Sequence, residues 1–210
     1  MDRPLPHPEP AATALVLIDL QHGVVARQTA PRPATEVVHA CSRLVVAARR
    51  LGVLVVKVRV SFAPDRANAL RQDVDQGLPP APPPGWDELV EEMQPAEGEV
   101  VVTKRQWGAF YGTNLDLELR RRGRRTLVLG GISTNFGVES TARDAWERNY
   151  QLILVEDAMA ALDAEAHRFA VTRIFPRLGR VCTVADVLAA WAADATAGPS
   201  LSANPGDRRS

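Results

Sequence analysis

Six short runs rich in Val, Leu and Ile recur along this chain, at 14–20 (ALVLIDL), 53–60 (VLVVKVRV), 100–103, 126–130 (TLVLG), 152–155 and 180–183. Stretches with helical periodicity separate them, at 35–50, 86–93, 114–122, 135–148, 164–175 and 184–192. The first, fourth and fifth runs are almost unbroken in apolar residues. Parallel strands buried on both faces have that pattern, whereas a strand with one wet face alternates. Gly52 and Gly123 stand where helices with Arg-rich last turns would stop. This alternation predicts an α/β fold on a mostly parallel sheet.

A length of 210 residues suits one domain that needs no metal or disulfide staple. The organisation expected is a flexible arm at 1–10, one folded domain at 11–191 and a disordered tail at 192–210, where small and polar residues take over. Lys plus Arg and Asp plus Glu are 25 each, so no bulk basic field draws the chain to nucleic acid. No apolar run is long enough to span a membrane, and the first residues contain no apolar signal core. The expected location is the cytoplasm. Cys41 and Cys182 are the only cysteines, too few for a disulfide framework or a thiolate metal cluster. Arginine supplies 23 of the 25 basic residues, which makes Lys57 and Lys104 conspicuous. The Pro-rich, aperiodic stretch 61–85 follows the second strand and reads as a lid over the strand C-termini.

In open α/β sheets ligands bind beyond those C-termini, so polar residues placed there are the candidates. Asp19 follows ALVLI in an apolar setting and needs a partner or a cleft; taken alone, it reads equally well as a structural turn cap. Lys104 ends the third strand (VVVTK); alone, it would be a solvated surface charge. Together the two make a carboxylate–ammonium pair that can orient water and stabilise developing charge. The fourth strand ends in Gly130-Gly131, and Ile132–Gly137 leads into a strong helix. Two glycines permit a tight turn, Ser133, Thr134 or Asn135 can cap the helix, and free N–H groups there suit an anion. The glycine spacing fits neither a P-loop nor a dinucleotide fingerprint.

The ordered trio LVLIDLQHGV, VVTKRQWGAF and GGISTNFGVESTARDAWERN resembles the isochorismatase-like hydrolases, also called the cysteine hydrolase superfamily. The resemblance spans nearly all of the chain between arm and tail. It implies a three-layer α/β/α, Rossmann-like domain with a six-stranded sheet, and Asp19 and Lys104 as catalytic residues. It also implies an oxyanion site from backbone at Ser133 and Gly137, a cis peptide at Ile132–Ser133, and homo-oligomers. The pocket for a small-molecule substrate would then include Gln21, Trp107, Phe110, Asn135 and Phe136. Among these, Trp107 and Phe110 equally suit core or interface packing, as do Gln106 and Tyr111, and Trp146 and Tyr150 suit a subunit contact.

One departure from the resemblance changes the chemistry. Amidase members such as nicotinamidases have a nucleophilic cysteine where this chain has Gly137, and glycine cannot attack. Cys41 and Cys182 read as packing residues, and His167 as part of a helix scaffold capped by Asp163, with Asp157 capping or lining the rim. No metal pattern is recognisable in 61–85, so neither metal nor cofactor is expected. True isochorismatases also have glycine at that position, but their Ser-Ala-Phe and Tyr-Ala-His are Gly108-Ala109-Phe110 and Ser133-Thr134-Asn135 here. The expected function is a hydrolase that works without a covalent cysteine intermediate, by water attack or vinyl-ether protonation. A member that lost its nucleophile and only binds a small molecule or partner is the alternative.

Overall fold

The computed structural model describes residues 8–76 and 82–197. Of the expected arm, tail and lid, 1–7, 198–210 and 77–81 lie outside the described residues. Six strands form one sheet: β1 (Thr13–Ile18), β2 (Leu54–Val60), β3 (Val100–Lys104), β4 (Thr126–Ile132), β5 (Gln151–Ala160) and β6 (Arg180–Cys182). All pairings are parallel, in the order β3-β2-β1-β4-β5-β6. Among the described residues seven helices accompany them: α1 (His22–Val25), α2 (Ala34–Leu51), α3 (Leu115–Arg121), α4 (Glu139–Glu147), α5 (Ala164–Phe169), α6 (Phe175–Leu178) and α7 (Val184–Ala197). A one-turn wide helix, Thr134–Val138, precedes α4, and another, Ala170–Ile174, joins α5 to α6.

The apolar runs are continuous because each central strand is covered twice. On β1, Leu15 and Leu17 pack toward α2 and α7 with Val128, Leu44, Val187 and Trp191. Ala14, Val16 and Ile18 pack the other way with Leu129, Leu119, Ala142 and Phe175. Each fully buried Leu, Ile or Val contributes roughly 2 kcal/mol. Gly52 does end α2 in the left-handed conformation (φ 70°), and Gly123 adopts it after α3 (φ 65°).

Three expectations are corrected here. Residues 86–93 are not a helix: Leu89 forms an antiparallel bridge to Gln21, Val90 N–H bonds Leu20 O, and only Glu91–Met93 coil, as a 3-10 turn. The apolar spacing of Trp86, Leu89, Val90 and Met93 imitates a helical face, but the chain leaving β1 draws this backbone into extended pairing. At the C-terminus, α7 runs past the expected helix end at 192 through the alanine-rich residues up to 197, which are good helix formers. The 135–148 helix is also interrupted, by the wide turn at its start.

Candidate active site

Leaving β1 the chain turns to β2 and β3 on one side, and the later strands lie on the other. In open sheets of this kind ligands bind where that reversal occurs, which here is at the C-terminal ends of β1 and β4. Asp19 follows β1, and the turn that follows β4 carries Gly137. Asp19 has φ 55°, a left-handed conformation that Asp tolerates better than most residues; it ends the strand while Asp19 N–H still bonds Val58 O (2.8 Å). Lys104, at the end of β3, must reach across β2. Its long stem makes that span and brings Nζ to 2.8 Å from Asp19 Oδ2.

The pair is nearly dry: Lys104 is 1% exposed and Asp19 8%. Lys104 Nζ also donates to Trp107 O (2.6 Å), which pins the loop after β3. Asp19 Oδ1 is buried and has no hydrogen-bond partner among the protein groups. Burial raises the Asp19 carboxyl from 3.8 to about 6, against the opposing pull of Lys104. Between the two forces named for this residue, desolvation prevails.

Gly137 completes the arrangement. A Cβ placed on it would lie 3.1 Å from both Asp19 Oδ2 and Lys104 Nζ, and 2.9 Å from Ile18 Cγ2. Any side chain at this position would therefore touch the pair. The turn is fastened at its far end by Thr141, whose hydroxyl donates to Gly137 O (2.7 Å) and accepts from Ala109 N–H (3.1 Å). At its near end Thr134 Oγ1 lies 2.8 Å from His167 Nδ1. Ile132–Ser133 is a cis peptide, as the resemblance implies.

The predicted pocket residues divide. Trp107 and Phe136 meet at the rim, rings tilted, with centroids 4.8 Å apart, and both remain exposed. Asn135 Oδ1 accepts from the Ser133 hydroxyl (2.9 Å), so none of Ser133, Thr134 and Asn135 caps a helix through its side chain. Gln21 and Phe110 are both buried, at 0% and 4% exposure. The Gln21 amide is matched in both directions to the Val60 backbone (2.8 and 2.7 Å), filling the gap beyond β1 like an extra peptide. Phe110 is turned into the core against Tyr150 and beneath Arg148. Tyr150 is itself buried and donates to Asp116, which removes it from the surface proposed for subunit contact. Asp163 caps α5 and Asp157 accepts from Val184 N–H, two of the capping roles expected.

Neither cysteine is a nucleophile in waiting. Cys41 is fully buried against Ala158 O, and burial drives its thiol far above the usual range; Cys182 is pushed up to about 12. Sequence reasoning missed Thr141, and read Thr134 only as a candidate helix cap and not as the partner of His167. Thr141 had a signal, since it lies one helical turn beyond Gly137; the partner of Thr134 comes from a distant segment and left none. Among the described residues, no group of three or more His, Cys, Asp or Glu is placed to hold a metal, and no helix is long and apolar enough to cross a membrane.

The isochorismatase domain profile matches residues 13–186, which takes in all six strands. The chain belongs to the isochorismatase family. It is 46% identical over 177 residues to the isochorismatase family protein YecD of Escherichia coli O157:H7, covering 84% of this chain and 94% of that one. A solved isochorismatase family protein of Burkholderia thailandensis superposes with a TM-score of 0.82 at 46% identity, over 87% of this chain and 96% of that one. The ureidoacrylate amidohydrolase RutB of Methylorubrum extorquens is 34% identical over 185 residues, covering 72% of this chain and 73% of that protein. This is an isochorismatase-family hydrolase, with hydrolases and amidohydrolases as its named relatives.

Proposed function

We propose that the chain hydrolyses a small molecule through acid–base chemistry at Asp19 and Lys104, with water and not a protein thiol as the nucleophile. The observation that carries this reading is the geometry at position 137. A side chain there would meet Asp19 and Lys104 at once, and this chain has glycine at that position; the resemblance to the amidases implies that their cysteine would stand there. The cleft beside the pair is thereby left to a water and the reacting carbon.

As a base, Asp19 takes a proton from that water while its oxygen bonds the electrophilic carbon of the substrate. The displaced electron pair moves onto the substrate oxygen, toward Lys104 and the backbone N–H groups of the turn. The proton held by Asp19 then passes to the leaving group, and the carboxylate is restored. A vinyl ether would run the steps in another order. The carboxylic acid protonates the terminal carbon, water adds to the resulting oxocarbenium carbon as the carboxylate takes one of its protons and becomes an acid again, and the hemiketal releases a ketone and an alcohol. A carboxyl titrating at about 6 is competent in either direction near neutral pH, with roughly a tenth protonated at pH 7.

The experiment is pyruvate release from isochorismate together with ammonia release from a panel of ureido and carbamoyl compounds, for wild type and Asp19→Asn in parallel. Turnover of one class, lost in the variant, supports the proposal and names the bond cleaved. Ligand binding without turnover, in folded protein, favours the member that lost its nucleophile and only binds.

A further inference from the structure

The wide turn Thr134–Val138 is a single turn, in which Phe136 N–H and Val138 N–H both bond Ser133 O and Glu139 N–H bonds Thr134 O. Side-chain ties at both of its ends hold it against the Asp19–Lys104 pair. Thr141 supplies the one nearer Gly137. The other is made at Thr134, whose hydroxyl is wholly buried and meets Nδ1 of His167 on α5.

His167 is backed in turn. Its Nε2 lies 3.7 Å from Glu156 Oε2, and Arg32 Nη2 reaches the same oxygen at 3.1 Å. Glu156 comes from an irregularity in the sheet. Leu129 on β4 pairs with Leu154, but Gly131 pairs with Met159, so 155–158 of β5 stand opposite Gly130 alone. Arg32 holds this bulge by donating to the carbonyls of Glu156 (2.7 Å) and Met159 (2.6 Å). Three separate segments thus converge on one buried hydroxyl of the turn. Burial, with Arg32 nearby, keeps the imidazole below its usual pKa and hence neutral at neutral pH. A neutral ring complements the Thr134 hydroxyl whichever nitrogen carries the proton.

We propose that His167 is a positioning residue: through Thr134 it holds the turn that presses Gly137 against the Asp19–Lys104 pair and shields that pair from bulk water. This rests on the reading of Asp19 and Lys104 as the working groups, but its test needs no substrate. The carboxyl carbon of Asp19 is followed by 13C NMR through a pH titration in the full chain. Wild type is compared with Thr134→Val, His167→Ala, His167→Asn and the double variant Thr134→Val/His167→Ala.

Loosening the turn admits water to the pair, so the midpoint falls from about 6 by roughly half a unit or more in Thr134→Val and in His167→Ala. The double variant falls no further than the larger single change, because both substitutions cut one tie. Asn, whose amide reaches the place of Nδ1, restores the wild-type midpoint. An unchanged midpoint in both single variants overturns the proposal, even where their melting temperatures drop, since that is what mere scaffolding of α5 predicts. Additive shifts in the double variant overturn it as well. Should His167→Ala fail to fold, the near-isosteric Thr134→Val decides alone. Absence of turnover with the coupling intact would instead count against the hydrolase reading only.

Discussion

A carboxylate buried beside an ammonium costs desolvation that the pair recovers only in part, and for Asp19 the balance leaves a carboxyl titrating at about 6. Two outcomes follow at this scale. The kcat/KM profile has a limb near pH 6; it rises with pH where Asp19 acts as a base and falls where it acts as an acid. Asp19→Asn lowers turnover by about a hundredfold or more. Stability responds in a fixed direction. Because the folded-state pKa lies above the ordinary value of 3.8, the native state keeps a proton that the unfolded chain releases between pH 4 and 6. That stabilisation is complete below about pH 4 and is lost as the pH rises through 6. Urea unfolding will therefore show wild type losing up to about 3 kcal/mol relative to Asp19→Asn between pH 4 and pH 7.

Among elements, the contact of β1 with β4 sets the spacing of the site, because Asp19 leaves one strand and the Gly137 turn leaves the other. The close approach depends on Gly131, which sits opposite Ile18 with φ 124°. A Cβ there would lie 2.2 Å from Ile18 O, a backbone atom that cannot step aside. Gly131→Ala will cost about 3 kcal/mol or more in a denaturant titration and will weaken the Asp19–Lys104 contact with it. Sequence pairs two glycines there for a tight turn; the structure uses the second for strand-to-strand approach within β4. The misread helix at 86–93 belongs to the same scale. Its periodicity is real, and the backbone of the neighbouring loop overrides it.

For the molecule as a whole, the two lysines share one condition: Lys57 and Lys104 are each 1% exposed. Lys57 Nζ donates to Glu99 Oε2 (2.5 Å) and Gln94 O (2.9 Å), and Arg49 grips the other carboxylate oxygen of Glu99. That cluster ties α2 and β2 to the segment entering β3, at the opposite end of that strand from Lys104. The exposed permanently charged basic side chains among the described residues are thus all arginine. Amine-directed acylation of the native protein will leave both lysines unmodified, and each will react once urea unfolds the chain, as read by peptide mass spectrometry. Modification of Lys104 in native protein would mean that the pair opens to solvent.

The strand cores and their parallel order of construction were legible in the chain itself, because burial on both faces demands unbroken apolar runs such as ALVLI and TLVLG. So were Asp19 and Lys104 as candidates, since each is a charge placed at the end of an apolar run. Their distance was not legible, because it depends on β2 lying between β1 and β3 and on a lysine stem crossing it. Nor were the inward rotation of Phe110, the use of the Gln21 amide on Val60, or the meeting of Thr134 with His167. Local pattern reports which face of an element is apolar. Which polar atom meets which is decided only when strands from distant parts of the chain are set side by side at a fixed register.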